Sequence, residues 1–185
     1  FDGLGTDEKQ ILEELSKLTP DQMREMELYY DSALSSGAQG WFMNGGEFAR
    51  RRGLREVLQD ELSGRPLDIA MAELQGDKVR ADAYRLKWAA NEDDWYDASW
   101  IGGTDEEMIE KVFENAKNGV GGRDKNHFLK LDRTFGAMFG GPDGRYADTH
   151  GTGESALSIF LSEETSGVDF LYYDELRRDG EASDE

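Results

Sequence analysis

The chain has 185 residues, of which 37% are hydrophobic and 33% charged, so it can bury a core in one domain of ordinary size or in two small ones. Its 40 acidic and 21 basic residues give a net charge of −19, which argues against nucleic acid as a partner because phosphate binding needs a basic surface. The chain has no cysteine, which excludes disulfides and thiolate metal sites.

The first half of the chain has the periodicity of five amphipathic helices. In each of them apolar residues recur at three- and four-residue spacing, which is typical of a helix with one buried face. Between the first two helices, Thr19-Pro20-Asp21 predicts an N-cap, a proline at the first helical position and an acid in the first turn. The helices are predicted over residues 7–18, 20–35, 54–62, 66–75 and 78–91.

The second half predicts four more helices, over residues 104–117, 124–139, 154–164 and 168–178. Glycine-rich stretches at 36–53 and 140–153 are interpreted as long loops. Ser63-Gly64 and Ser166-Gly167 follow the short helices, and each glycine is interpreted as a C-terminal cap. No segment alternates with period two, so the sequence predicts an all-α fold.

One motif occurs twice, as Gly3-Leu4-Gly5-Thr6-Asp7-Glu8 and as Gly102-Gly103-Thr104-Asp105-Glu106. In both copies glycines allow a tight turn, a threonine can act as N-cap, and acids stand in the first helical turn. The order loop, two helices, short helix, acid, Ser-Gly and helix is the same in both halves. We therefore expect two repeats, at 1–92 and 102–178, joined by a linker at 93–101 and followed by an acidic tail at 179–185.

Each half also has an acid at the end of its short helix. Glu61 precedes Leu62-Ser63-Gly64, and Glu164 precedes Thr165-Ser166-Gly167. A glycine-rich turn leaves backbone carbonyls accessible, and a carboxylate from a second loop can complete a set of hard oxygen ligands. Ca²⁺ prefers such a set. Glu61 and Glu164 are therefore candidate calcium ligands.

Taken together, these features resemble an annexin repeat. The first half carries the Gly-Leu-Gly-Thr-Asp-Glu start, then Asp60-Glu61-Leu62-Ser63-Gly64, then Asp82-Ala83-Tyr84-Arg85-Leu86-Lys87. The second half carries Gly103-Thr104-Asp105-Glu106 and Glu164-Thr165-Ser166-Gly167. The resemblance covers most of the chain, as two repeats of a family that usually has four. It implies repeats of five helices each that bind anionic phospholipid membranes through Ca²⁺. In this chain we expect five helices in the first repeat and four in the second.

The resemblance also implies individual site residues. The first site would use the carbonyls of Phe1, Gly3 and Gly5 with the carboxylate of Glu61, and the second would use Ser99, Ile101 and Gly103 with Glu164. Leu4 and Trp100 would face the membrane. The chain departs from the family at Ile101, which stands where the pattern has a glycine, because a β-branched residue resists positive φ.

Two other interpretations stay open. The helices can form a calcium-independent interaction or structural module that contacts a protein partner through the glycine-rich loops.

A carboxylate-based hydrolase would use acids around Asp143–Glu154, but neither a phosphate-binding loop nor a Gly-x-Ser-x-Gly motif is present, and His127 and His150 are isolated in sequence. We therefore expect a non-enzymatic module. Because the chain starts at Phe1 inside a motif, we expect it to belong to a larger protein. The departures from the four-repeat pattern indicate a bacterial or otherwise atypical member of the family, and we expect it to be secreted or associated with a membrane surface.

Overall fold

A computed structural model describes residues 8–35, 53–90, 104–141, 145–148 and 151–182. These residues form nine α-helices, one short 3-10 turn at Val120–Gly122 and no strand, which confirms the predicted all-α class. In chain order, helices α1 to α9 are Glu8–Lys17, Pro20–Ser35, Leu54–Glu61, Gly64–Leu74, Lys78–Ala89, Glu106–Lys117, His127–Phe139, Ala156–Glu164 and Gly167–Ala182. None of the helices described here is both long enough and apolar enough to cross a bilayer.

The start of α2 follows the sequence prediction. The Thr19 hydroxyl accepts a hydrogen bond from the Gln22 backbone N–H at 3.3 Å, and the Gln22 side chain accepts one from the Thr19 N–H at 2.9 Å. This reciprocal pair is a capping box, and Pro20 occupies the first helical position, where its missing N–H costs nothing.

The chain divides into two compact units, residues 1–77 and 78–185. In the first unit α4 contacts α1, α2 and α3, and α2 also contacts α3. The apolar residues of these four helices supply the core because their helical spacing places them on inward faces. The buried apolar residues of the unit are Leu12, Leu15, Met23, Leu58, Leu62, Ile69, Ala70, Ala72 and Leu74.

The second unit is built around α7, which contacts α5, α8 and α9. Its core is aromatic: the Phe135 ring lies 5.1 Å from that of Phe160 and 5.7 Å from that of Tyr146. All three side chains are almost fully buried. Tyr146 comes from the second predicted glycine-rich loop, so this loop contributes to the core as well as connecting helices.

Four helices of each unit pair in the same way. The contacts of α4 with α1, α2 and α3 correspond to those of α9 with α6, α7 and α8, and the α2–α3 contact corresponds to α7–α8. The connections correspond too: Gly64 and Gly167 both have φ of +57° and each begins the helix that follows. A residue with a Cβ is strained in this left-handed conformation, which explains glycine at both places.

These glycines are not C-terminal caps as predicted. Leu62 and Thr165 cap α3 and α8 instead, and their N–H groups donate to the carbonyls of Leu58 and Leu161. The prediction was wrong because the residue after a helix end can stay extended, and the positive φ then falls at the start of the next helix. Apart from Gly53, the predicted glycine-rich insertion at 36–53 lies outside the described residues, as does the whole predicted linker at 93–101, whereas most of the second insertion at 140–153 is described.

Helix α5 lies in the second unit, whereas the sequence prediction placed it at the end of the first repeat, 1–92. It packs on α6 and α7 because Ala83, Leu86 and Ala89 are buried in the same core as Ile109 and Leu131. Among the described helices, the first unit therefore holds four and the second holds five, instead of the expected five and four.

Candidate functional site around Glu164

Two of the predicted calcium ligands, Glu61 and Glu164, lie in the described part of the chain. The predicted carbonyl ligands and membrane-facing residues lie outside the described residues. These are Phe1, Gly3, Gly5, Ser99, Ile101, Gly103, Leu4 and Trp100.

Glu164 is the last residue of α8, and its carboxylate is held by three side chains. The Thr104 hydroxyl donates to Oε2 at 2.5 Å, and the Tyr146 hydroxyl donates to Oε1 at 3.4 Å. The Arg145 guanidinium lies 3.1 Å from Oε1. The Glu164 side chain is 7% exposed. Glu164 therefore meets the residue directly after the second predicted carbonyl loop, although 60 positions separate the two in sequence.

Thr104 reaches Glu164 because it does not cap α6. The N-cap is Asp105, whose carboxylate accepts a hydrogen bond from the Met108 N–H at 3.0 Å. The sequence predicted threonine in this role, and threonine and aspartate are both good N-caps, so adjacent residues of these types are hard to distinguish. The Asp105 N–H donates to the Ala89 carbonyl at 2.8 Å, which fixes the start of α6 against the end of α5.

Arg145 and Tyr146 were not predicted as site residues. Arg145 also lies 3.3 Å from Glu163, so it bridges the last two residues of α8, and its side chain remains 52% exposed. Tyr146 is 1% exposed. Burial, together with the charge of Glu164, raises the pKa of the Tyr146 hydroxyl above its ordinary value, which keeps it protonated as a donor. The one sequence signal for the role of Tyr146 at Glu164 was that it is an aromatic residue in a stretch of polar and glycine residues.

The position of both acids favours a positive charge nearby. Glu61 and Glu164 are the last residues of α3 and α8, where the carbonyl end of the helix dipole is negative. A carboxylate there is unfavourable unless a cation is close, and Arg145 supplies that cation at Glu164. Glu61 is exposed at the end of its helix.

The side chains at Glu164 fit Ca²⁺ in type, because carboxylate and hydroxyl oxygens are hard ligands. Within the described ranges, however, no group of three or more histidine, cysteine, aspartate or glutamate side chains is placed to hold a metal ion. An ion at Glu164 would need its other ligands from backbone carbonyls and water, and it would have to compete with Arg145.

A second polar cluster is fully buried in the same unit, and the sequence did not predict it. The Asp82 carboxylate accepts hydrogen bonds from Arg123 Nε and Nη2, both at 2.7 Å, and from Arg85 Nη1 at 2.9 Å. His127 Nε2 lies 2.8 Å from Asp82 Oδ2. Burial alone would raise the pKa of Asp82, but the charge and hydrogen bonds of Arg123, with His127 and Arg85, outweigh it and hold the pKa well below its ordinary value.

This cluster ties α5 to α7 and to the segment before α7, so we interpret it as structural. Asp82 and Arg85 belong to the Asp-Ala-Tyr-Arg-Leu-Lys segment on which part of the resemblance rests. His127 is isolated in sequence only, because its partner is 45 positions away. Such a contact depends on helix packing and leaves no local pattern.

Comparison of the chain with protein-family models, curated proteins and solved structures finds no match. The resemblance to annexins therefore depends on the motifs and the residues named above.

Proposed function

We propose that this chain is a calcium-dependent phospholipid-binding module of a larger protein. The observation that carries the proposal is the contact between Glu164 and Thr104, the residue that directly follows the candidate carbonyl loop in sequence. The annexin resemblance implies a ligand set of this kind, in which an acid and a distant first loop meet.

The two units support the proposal because they repeat the same helix pairing. Glu61 and Glu164 both end their short helices, and a glycine with φ of +57° follows each acid at the same distance. Two sites of similar construction, one in each unit, fit this repetition. In the first, Phe1, Gly3 and Gly5 would supply carbonyls, and in the second Ser99, Ile101 and Gly103 would do so.

The negative net charge of the chain explains why membrane binding would need a calcium ion. At −19, the protein is repelled by an anionic lipid surface unless a cation lies between them. A bound Ca²⁺ would supply positive charge that attracts lipid phosphate groups. Leu4 and Trp100 are the candidates for contact with the lipid itself. We propose no catalytic role for any residue of the chain.

Co-sedimentation with vesicles tests the proposal. The full chain is mixed with phosphatidylserine–phosphatidylcholine vesicles at about 1 mM Ca²⁺ or with a chelator. We expect binding in Ca²⁺ alone, and none to phosphatidylcholine vesicles. Glu164→Gln should weaken binding, whereas the control Glu175→Gln, which removes the same charge from an exposed position on α9, should not. Binding that is unaffected by Ca²⁺ over the millimolar range contradicts the proposal.

One observation favours a second candidate, a calcium-independent interaction module. Arg145 already balances the charge of Glu164, so the carboxylate is satisfied by protein groups alone. In this case Glu164→Gln would lower stability without changing the binding of a partner. Substitutions in the glycine-rich insertion at 36–53 would instead abolish partner binding, and they would do so equally with Ca²⁺ or chelator.

A further inference from the structure

We infer that Arg145 is an internal competitor for Ca²⁺ and sets the affinity of the second site. The inference rests on the proposed calcium site at Glu164. In the absence of the ion, the guanidinium holds the carboxylate. Ca²⁺ must displace it before it can bind.

Arg145 is already paired with the carboxylate that the ion would use. It spans the final two residues of α8, with Nε 3.3 Å from Glu163 and Nη2 3.1 Å from Glu164. It thus lies at the negative end of the helix dipole, where a cation is favoured. An ion bound by both carboxylate oxygens of Glu164 needs Oε1, the oxygen that Arg145 contacts.

Glu164 and Arg145 differ in how firmly their side chains are held. Glu164 is 7% exposed and is fixed by the Thr104 and Tyr146 hydroxyls, so its carboxylate stays in place. Arg145 is 52% exposed, so its guanidinium can turn into water without a large loss of solvation. Displacement therefore moves the arginine and leaves the glutamate in place.

The backbone next to Arg145 keeps the competitor close. Tyr146 is buried against Phe135 and Phe160, and the Arg145 guanidinium lies 5.6 Å from the centre of the Tyr146 ring. An arginine tethered in this way returns to the carboxylate whenever the ion leaves. Removal of its charge should therefore raise Ca²⁺ affinity, and an ion pair with a half-exposed arginine predicts a change of about three- to fivefold.

Calorimetric titration of Ca²⁺ into the full chain tests this inference. All variants carry Glu61→Gln so that the second site is measured alone. We expect Arg145→Gln to bind Ca²⁺ about three- to fivefold more tightly than its parent. The control Arg133→Gln removes an exposed arginine from α7 in the same unit and should change affinity less than about twofold. Equal tightening in both variants would show a general charge effect and overturn the inference.

A second measurement needs no calcium and separates this inference from the proposed function. Urea unfolding of Arg145→Gln, Glu164→Gln and the double variant forms a double-mutant cycle in chelator. Coupling between the two substitutions supports the pairing, and its absence overturns the inference even if Ca²⁺ binds. If the parent does not bind Ca²⁺ but Arg145→Gln does, the competitor role stands and the proposed function fails. If neither binds Ca²⁺, both fail.

Discussion

The buried Asp82 cluster gives the sharpest prediction about stability. Asp82→Asn keeps the shape of the side chain and removes its charge. Arg123, whose side chain is 0% exposed, then loses its ion pair with Asp82, and Arg85 and His127 lose a charged partner. Breaking a buried, hydrogen-bonded ion pair on one side costs about 3–5 kcal/mol, because the remaining charge stays away from water.

Urea unfolding followed by circular dichroism measures this loss. With a denaturant slope of about 2 kcal/mol/M, the midpoint of the second unit should fall by roughly 1.5–2.5 M. The control is Asp124→Asn, since Asp124 pairs with Lys130 at 2.6 Å but is half exposed. That pair should contribute less than about 1 kcal/mol. Similar small losses in both variants would refute the interpretation of the Asp82 cluster as structural.

The same features make three further predictions. Because the pKa of Asp82 is lower in the folded protein than in the unfolded chain, its stabilising effect is complete above the unfolded pKa of about 4 and is lost progressively as the pH falls from there through the lower folded pKa. Asp82→Asn should therefore weaken the dependence of unfolding free energy on acidic pH, and an unchanged dependence would contradict this cause. Gly64→Ala and Gly167→Ala should each cost about 1–2 kcal/mol in unfolding free energy through the positive φ alone, since among the described residues no atom beyond the adjacent ones lies within 4 Å of either added Cβ. Gly136→Ala, inside α7 with equal space, should stabilise by up to about 1 kcal/mol; equal effects at all three glycines would contradict the backbone argument. A fragment that spans α5 to α9 should give a dispersed amide NMR spectrum, whereas one that lacks α5 should not, because α5 supplies part of the core.

Local signals predicted the helices well. Apolar spacing and the Thr19-Pro20 start depend on residues within one or two turns, so the sequence carries them directly. The assignment of α5 to a unit could not be predicted in this way. Its periodicity shows which residues face inward, but the choice of neighbouring helices depends on which apolar surfaces remain to be covered.

The candidate site was predicted only in part. Glu164 was found because its position repeats that of Glu61, and repetition is visible in sequence. Arg145 and Tyr146 have no counterpart in such a pattern, and the tertiary fold alone brings them to Glu164. The same holds for Asp82 and His127, which helix packing joins across 45 positions.

The proposed function requires that Glu164 hold a calcium ion. Calorimetric titration of Ca²⁺ into the full chain, beside Glu164→Gln and the control Glu175→Gln, tests it most directly. We predict saturable binding in the parent and in Glu175→Gln, and the loss of one site in Glu164→Gln. Binding that is the same in all three proteins, or no binding in any of them, would contradict the claim.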